Sequence, residues 1–289
     1  LVFPSNEDFC ERASPGKLER VMHNLRAPRL VATDLDGTAL RTDGTVSPRT
    51  AAAFARVEEA GAMLVFVTGR PPRWMRPVAG AVRHRGLAVC ANGALIYDLH
   101  TERIVKSHLI DPEVLEEVVA QLRANVPGLT FSVEYEGGYA RESDFRLGTW
   151  DRRSAVGAAA DCETLTSRAC VKLLALHPDM NPDELLRAVH ELVGHLVTAT
   201  HSSGRGLVEM SAHGVTKATA LATLAERHGI DPSEVVAFGD MPNDLPMLTW
   251  AGISYAVANA HPGVLAAVDH VTAANDDDGV AVVLEKLYR

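Results

Sequence analysis

The chain reads as an α/β protein: a doubly wound parallel sheet interrupted by a separate α+β block. Three observations predict this. The runs "LVATD" (30–34), "MLVFVT" (63–68) and "VVAFGD" (235–240) are short and almost wholly apolar before their last residues, as strands buried on both faces are. Helical segments alternate with them, and strand–helix–strand order implies right-handed crossovers and parallel pairing. Between 108 and 207 the alternation gives way to hairpin-like and helical stretches, enough chain for a core of its own.

The elements follow in order. After the first strand, "SPRTAAAFARVEEAGAM" is a helix: Ser47 can cap it, Pro48 fits its first turn and Gly61 ends it. "AMLVFVTGRPP" is a second strand ending at Thr68, Gly69 and Arg70, "PRWMRPVAGAVRH" a helix, and "GLAVCANGALIYD" a third strand ending near Asn92 and Gly93. In the inserted block, "DPEVLEEVVAQLRANVP" is helical and "LTFSVEYEGGYARE" a hairpin turning at Gly137–Gly138. "CVKLLALHP" is a strand, "NPDELLRAVHELVGH" a helix capped by Asn181, and "LVTATHSSGRGLVEM" two strands. The first pattern returns with the helix "GVTKATALATLAERHGI" and the strand in "EVVAFGDMPNDLPML". Residues 29–107 and 208–289 are therefore assigned to the sheet core, 108–207 to the insertion and 1–28 to a lead-in with acids where a signal peptide needs an apolar stretch.

Composition narrows the function. A chain of 289 residues has room for two domains, and 47% hydrophobic with 22% charged residues is ordinary for a globular protein. A net charge of -9 argues against nucleic acid as a partner, because phosphate backbones need basic surface. A small phosphate ligand needs only a few local donors. No apolar run approaches the ~18 residues of a membrane span, so no membrane partner is expected. Cys10, Cys90, Cys162 and Cys170 show no CxxC spacing, which suggests a reducing, cytoplasmic setting.

The chemistry gathers at the strand ends, outside which ligands bind in such sheets. Asp34 and Asp36 are two apart, so their side chains share a face if the strand stays extended that far. Carboxylates so close need a cation or a shared proton, and Gly37 lets the backbone turn or approach a ligand. An acidic Asp-Gly turn is the alternative reading. Thr68, Asn92 and Asp240 end neighbouring strands, with Asn243 and Asp244 in the turn after Asp240. Several converging carboxyl groups suit a hard divalent cation, and oxygen-only donors suit Mg2+. Lys217 alone would be a solvated helix lysine; beside these acids it is a fixed positive charge. Lys172, on a strand of the insertion, serves either substrate or structure. "HELVGH" holds His190 and His195 at i and i+5, about 140° apart on a helix, which is wrong for zinc. Asp276 to Asp278 read as a solvated turn before the last helix.

"DLDGT" (34–38), "TGR" (68–70), Lys217 within "GVTKATAL" and "GDMPND" (239–244) resemble, in this order and spacing, the haloacid-dehalogenase-like (HAD) phosphatase superfamily. The insertion resembles the type II cap of its Cof-type branch, and "NDDDGVAVVLEKL" that branch's closing segment. The resemblance covers residues 29–289 and implies a Rossmann-like catalytic core with a substrate-selecting cap. It makes Asp34 the nucleophile that forms an aspartyl-phosphate. Asp36 becomes the acid/base, steadied by Thr38, and Lys217 the charge-neutralising cation. Mg2+ would be held by a carboxylate oxygen of Asp34, the backbone carbonyl of Asp36 and Asp240, with Asp244 acting directly or through water. Thr68, Gly69 and Asn243 would bind the phosphoryl group, and Arg70, Asn92 and Gly93 are candidate substrate contacts. Asp36 separates the chain from the superfamily's dehalogenases and ion pumps, while His213 departs from the residue many relatives carry there. The implied substrate is a small phosphorylated metabolite, such as a sugar phosphate, nucleotide or pyridoxal phosphate, handled by a monomer or small homo-oligomer. The turn Tyr135 to Tyr139 and the stretch Arg146 to Arg153 are expected near the entrance. Two other readings stay open: a phosphomutase that shields the aspartyl-phosphate from water, and a phosphate-sensing protein that kept the fold.

Overall fold

The computed structural model describes residues 27–146, 157–159, 162–204 and 206–289; the lead-in up to residue 26 lies outside them. Strand β1 (Leu30–Thr33) is buried at every position, as its unbroken apolar run requires. Helix α1 (Pro48–Glu59) leads to β2 (Met63–Val67), and α2 (Met75–Val82) to β3 (Leu87–Cys90). Ser47 caps α1 by accepting the Thr50 backbone N–H, with Pro48 at the first helical position. Antiparallel strands β4 (Leu95–Asp98) and β5 (Arg103–Ser107) finish this edge.

The inserted cap comprises α3 (Pro112–Asn125), β6 (Thr130–Tyr135), β7 (Gly138–Arg141), β8 (Gly157–Ala159), α4 (Cys162–Thr166), β9 (Lys172–Leu176), α5 (Pro182–Val193), β10 (Val197–Thr200) and β11 (Leu207–Ala212). Its strands form one sheet in the order β10-β11-β9-β6-β7-β8, antiparallel except for β7–β8. Leu115, Val118 and Leu122 of α3 and Leu185, Val189 and Val193 of α5 bury alternate strand residues, among them Phe131, Val133, Leu173, Val208 and Met210, in a core separate from the first. Two expectations shift here. The hairpin turn is Glu136–Gly137, because Tyr135 pairs with Gly138 and Gly138 already belongs to β7. The cap also runs to Ala212 rather than 207, because β11 pairs with β9 and β10 and places Val208 and Met210 in the cap core.

The chain returns to the core through α6 (Lys217–Arg227), β12 (Val235–Gly239), α7 (Leu245–Trp250), β13 (Ile253–Val257), α8 (Pro262–Leu265), β14 (His270–Thr272) and α9 (Gly279–Leu287). The core sheet runs β14-β13-β12-β1-β2-β3-β4-β5, parallel from β14 through β3. Winding leaves β1 toward β2 on one side and resumes from β12 on the other, so the crevice above β1 and β12 is a topological switch point. The acids before α9 are not simply solvated: Asp276 accepts the Thr42 N–H and hydroxyl, and Asp278 pairs with Arg41, tying the loop after β1 to the last helix.

Candidate active site

The crevice is built from the loops that leave β1, β2, β3 and β12. Asp34 still donates its N–H to the Phe238 carbonyl at 3.0 Å, but the strand ends there. The chain coils through 35–39, with Asp36 at φ -72, ψ 118 and Gly37 at φ +80. Asp34 and Asp36 therefore do not share a strand face, contrary to the alternation argument; Asp36 enters the crevice from the turn. Gly37 permits this in two ways. Its φ lies in the left-handed region, and a Cβ there would sit 2.4 Å from Asp240 Oδ2.

Four charged side chains are packed at the centre. Lys217 Nζ lies 2.5 Å from Asp34 Oδ1 and 2.6 Å from Asp244 Oδ1, and the lysine is 1% exposed. Thr216 caps α6 by reciprocal bonds with Thr219 and so fixes where Lys217 starts. Asp244 Oδ2 accepts the N–H groups of Asp240 and Met241, both at 3.0 Å. Asp244 is thus anchored behind the crevice rather than on its wall. Thr38 donates to Asp240 Oδ1 at 2.7 Å, so it steadies Asp240 and not Asp36. Asp36 is held by Arg70 instead, whose Nε and terminal nitrogen meet the two carboxylate oxygens at 2.7 and 2.6 Å. At 51% side-chain exposure Asp36 is the acid open to solvent.

The electrostatics call for a cation. Burial, reinforced by Asp244, Asp240 and Asp36, holds the Asp34 carboxyl well above the usual range although Lys217 opposes the shift. Burial and Asp244 push Asp240 up to about 7. Burial alone would lower the Lys217 pKa, yet Asp244 and Asp34 raise it, so the ammonium stays charged. With all three buried acids ionised, negative charge would exceed the one ammonium, so the cluster takes up either protons or a cation. Asp34, Asp240 and Asp244 each offer an oxygen within 4.8 Å of the others. These donors, all oxygen and all buried, fit a hard divalent ion. His190 and His195 take no part in this group.

A pH dependence follows. An acid whose folded pKa is raised stabilises the fold most below its unfolded value, near 3.8 for Asp240, and loses that contribution as pH rises through about 7. Metal-free protein should therefore have a lower thermal midpoint at pH 8 than at pH ~5 from this group, and a divalent ion should reverse the loss. Thermal unfolding of wild type and Asp240→Asn in chelator checks this: the variant's decline should be flatter, and equal slopes would contradict it.

Beside the acids, the turns after β2 and β3 clasp each other. Thr68 N donates to Val89 O, Asn92 N to Thr68 O and Ala91 N to Arg70 O, while Thr68 Oγ1 accepts the Arg70 N–H at 3.1 Å. A cavity of about 300 Å³ opens over them. From the core, Asp34, Asp36, Thr68, Gly69, Arg70, Trp74, Asp240 and Asn243 line it; from the cap, Glu134, Lys172, Leu174, Ser202, Leu207 and Glu209. Asn92 and Gly93 are not on its wall. Asn92 is a layer behind, bonded to Glu209 and Asn243. Gly93, at φ +107, lets the β3 turn approach α6, since a Cβ there would meet the Thr216 carbonyl oxygen at 2.1 Å. Neither Tyr135 nor Tyr139 lines the cavity; Tyr139 packs under the Arg73 guanidinium, 5.5 Å from its ring centre. Of the other expected entrance stretch, residues 147–153 lie outside the described residues. His213 is an exposed turn residue.

Sequence reasoning missed the polar contacts that join cap to core. Arg73 of the core forks onto Glu134 of β6 at 2.6 and 2.8 Å. Lys172 of β9 meets Glu209 of β11 at 2.5 Å and the Gly69 carbonyl at 3.0 Å. A signal was present in the alternation of the cap strands. Phe131, Val133, Leu173, Val208 and Met210 face the cap core, so Ser132, Glu134, Lys172, Leu174 and Glu209 must face the other way.

The family model of the haloacid dehalogenase-like hydrolases matches residues 31–284. A pyridoxal phosphate phosphatase of Escherichia coli (strain K12) is 30% identical over 263 residues, covering 88% of this chain and 96% of its own. A 5-amino-6-(5-phospho-D-ribitylamino)uracil phosphatase of Bacillus subtilis (strain 168) is 25% identical over 256 residues, 88% of this chain and 93% of its own. The crystal structure of a haloacid dehalogenase-like hydrolase from Bacteroides thetaiotaomicron superposes with a TM-score of 0.72 at 26% identity, covering 90% of this chain and all of that one. The chain belongs to the haloacid dehalogenase-like hydrolases, as a phosphoric monoester hydrolase of the Cof-type branch with an inserted α+β cap.

Proposed function

We propose that the chain is a Mg2+-dependent phosphatase of small phosphorylated metabolites working through an aspartyl-phosphate on Asp34. The observation that carries this is the position of Asp34: it lines the cavity together with Asp36 and is engaged at Oδ1 by Lys217. In the first step a carboxylate oxygen of Asp34 attacks phosphorus and the ester P–O bond breaks, while Asp36 delivers a proton to the departing oxygen. In the second, water attacks the same phosphorus, Asp36 takes its proton, and the bond to Asp34 breaks with release of inorganic phosphate. Thr68, the Gly69 N–H and Asn243 orient the phosphoryl oxygens, and Lys217 neutralises charge beside the nucleophile. A divalent ion held by Asp34 and Asp240, with Asp244 behind them, offsets the repulsion between the carboxylate and the phosphoryl group when bound. Arg70 donates to both oxygens of Asp36 in the resting site, so Asp36 leaves this pair when it carries the proton.

A volume of about 300 Å³ suits a small metabolite. The activities named for the relatives make pyridoxal phosphate and the ribitylaminouracil phosphate the substrates to try first. Burial pushes the thiols of Cys90 and Cys170 up to about 12, which keeps both protonated. The test is release of inorganic phosphate from an aryl phosphate with Mg2+ and with chelator. Turnover that appears only with the ion is expected. A well-folded protein that never releases phosphate, yet interconverts sugar phosphates, would assign it to phosphoryl transfer instead.

A further inference from the structure

We propose that Glu209 of the cap is a positioning residue for phosphoryl binding: through Asn92 its carboxylate sets the direction of the Asn243 amide. The inference rests on the reading of Asn243 as a phosphoryl ligand. Glu209 is 5% exposed and lies on β11, yet one of its bonds, to Asn92, crosses to the core. Oε2 accepts from Lys172 Nζ at 2.5 Å and from Asn92 Nδ2 at 3.0 Å, and Oε1 accepts from the Ser202 hydroxyl. Burial pushes this carboxyl up, but Lys172 and the hydrogen bonds outweigh it and hold the group below its usual range. Ionised, Glu209 can only accept.

That constraint propagates. The oxygen and nitrogen ends of an amide have nearly the same shape, so hydrogen bonding decides which way each side chain lies. An acceptor at Glu209 draws Asn92 Nδ2 toward it and turns Asn92 Oδ1 toward Asn243, whose Nδ2 donates to it at 3.1 Å. Reversing Asn243 would set two carbonyl oxygens against each other. In the observed order Asn243 Oδ1 is buried with no partner among the described residues, while Nδ2 gives one hydrogen to Asn92. Its second hydrogen remains for an anion in the cavity that Asn243 lines. The donor direction inside the core is thus dictated by a charge on the cap. Lys172, the partner of that charge, also holds the Gly69 carbonyl, next to Thr68. Seating the cap therefore completes both sides of the phosphoryl site.

The test is calorimetric titration of inorganic phosphate into the Mg2+-loaded protein for wild type, Glu209→Gln, Asn243→Ala and the double variant, with thermal midpoints recorded. Glutamine keeps the shape but can present either a donor or an acceptor, so Asn92 and Asn243 are free to reverse. Glu209→Gln is expected to raise the phosphate Kd by about tenfold in wild type and to add nothing in the Asn243→Ala background. Multiplicative effects in the double variant would overturn the proposal and leave Glu209 a general cap–core contact. An unchanged Kd in Asn243→Ala would overturn it by removing the target, whether or not phosphatase activity is found. Asn92→Ala, which cuts the connection while sparing the Lys172–Glu209 pair, should reproduce the Kd change and its non-additivity, and it decides the matter if Glu209→Gln does not fold.

Discussion

Asp34→Asn is expected to lower phosphate release by about 10⁴-fold or more, the scale seen when a nucleophile is removed from a concerted catalytic set. An amide carries no charge with which to attack phosphorus, and no other carboxylate stands in its place. Asp240 is bonded by Thr38, Asp244 by Lys217 and two backbone N–H groups, and Asp36 by Arg70. The fold should survive. The substitution removes one charge from a buried cluster whose members disfavour one another's ionisation, while Lys217 keeps Asp244 at 2.6 Å. In chelator the variant's thermal midpoint should match or exceed that of wild type. Steady-state release and thermal unfolding, measured together, check both halves. Turnover within tenfold of wild type would take Asp34 out of the chemistry, and a collapsed midpoint would make the lost activity a folding effect.

How much of this was legible in the sequence varied with the range of the interaction. β1, β2 and β12 could be read because a buried parallel strand is a local pattern, and α1 because Ser47 and Pro48 are local signals. The strand "LVEM" was read into the insertion, but the boundary at 207 cut through it; pairing with β9 and β10 carries β11 to Ala212. Asp36 reaches the same cavity as Asp34, but from a turn and not along an extended strand, because the end of a strand depends on what packs there, here Gly37 against Asp240. The partner of Asp36 was misassigned for a related reason. Thr38 is close to Asp36 in sequence but bonds Asp240, across 202 positions. Glu134, Lys172 and Glu209 were visible as polar residues interleaved with apolar ones. Their importance rests on which sheet face meets the core, a question of domain packing that local pattern does not answer.

Lys217→Met carries the second large effect. A lysine at a helix N-terminus opposes the helix dipole, and complete burial is costly for its charge. Asp34 and Asp244, at 2.5 and 2.6 Å, outweigh both, as the raised Lys217 pKa shows. Methionine keeps the length of the side chain and removes the cation. Turnover is expected to fall by about 10³-fold, the cost of losing one preorganised charge at a reacting centre. Stability in chelator should fall by about 3 kcal/mol or more, because removing one member of a buried ion pair strands the other. The same loss makes the acid cluster a better cation site, so Mg2+ should raise the thermal midpoint more in the variant than in wild type. Adding Asp244→Asn to Lys217→Met reduces the stranded charge and should recover stability without recovering turnover. This divergence separates the two duties of the lysine. If activity returned along with stability, Lys217 would be a structural counter-ion only, and the charge beside the nucleophile would have to come from the metal alone.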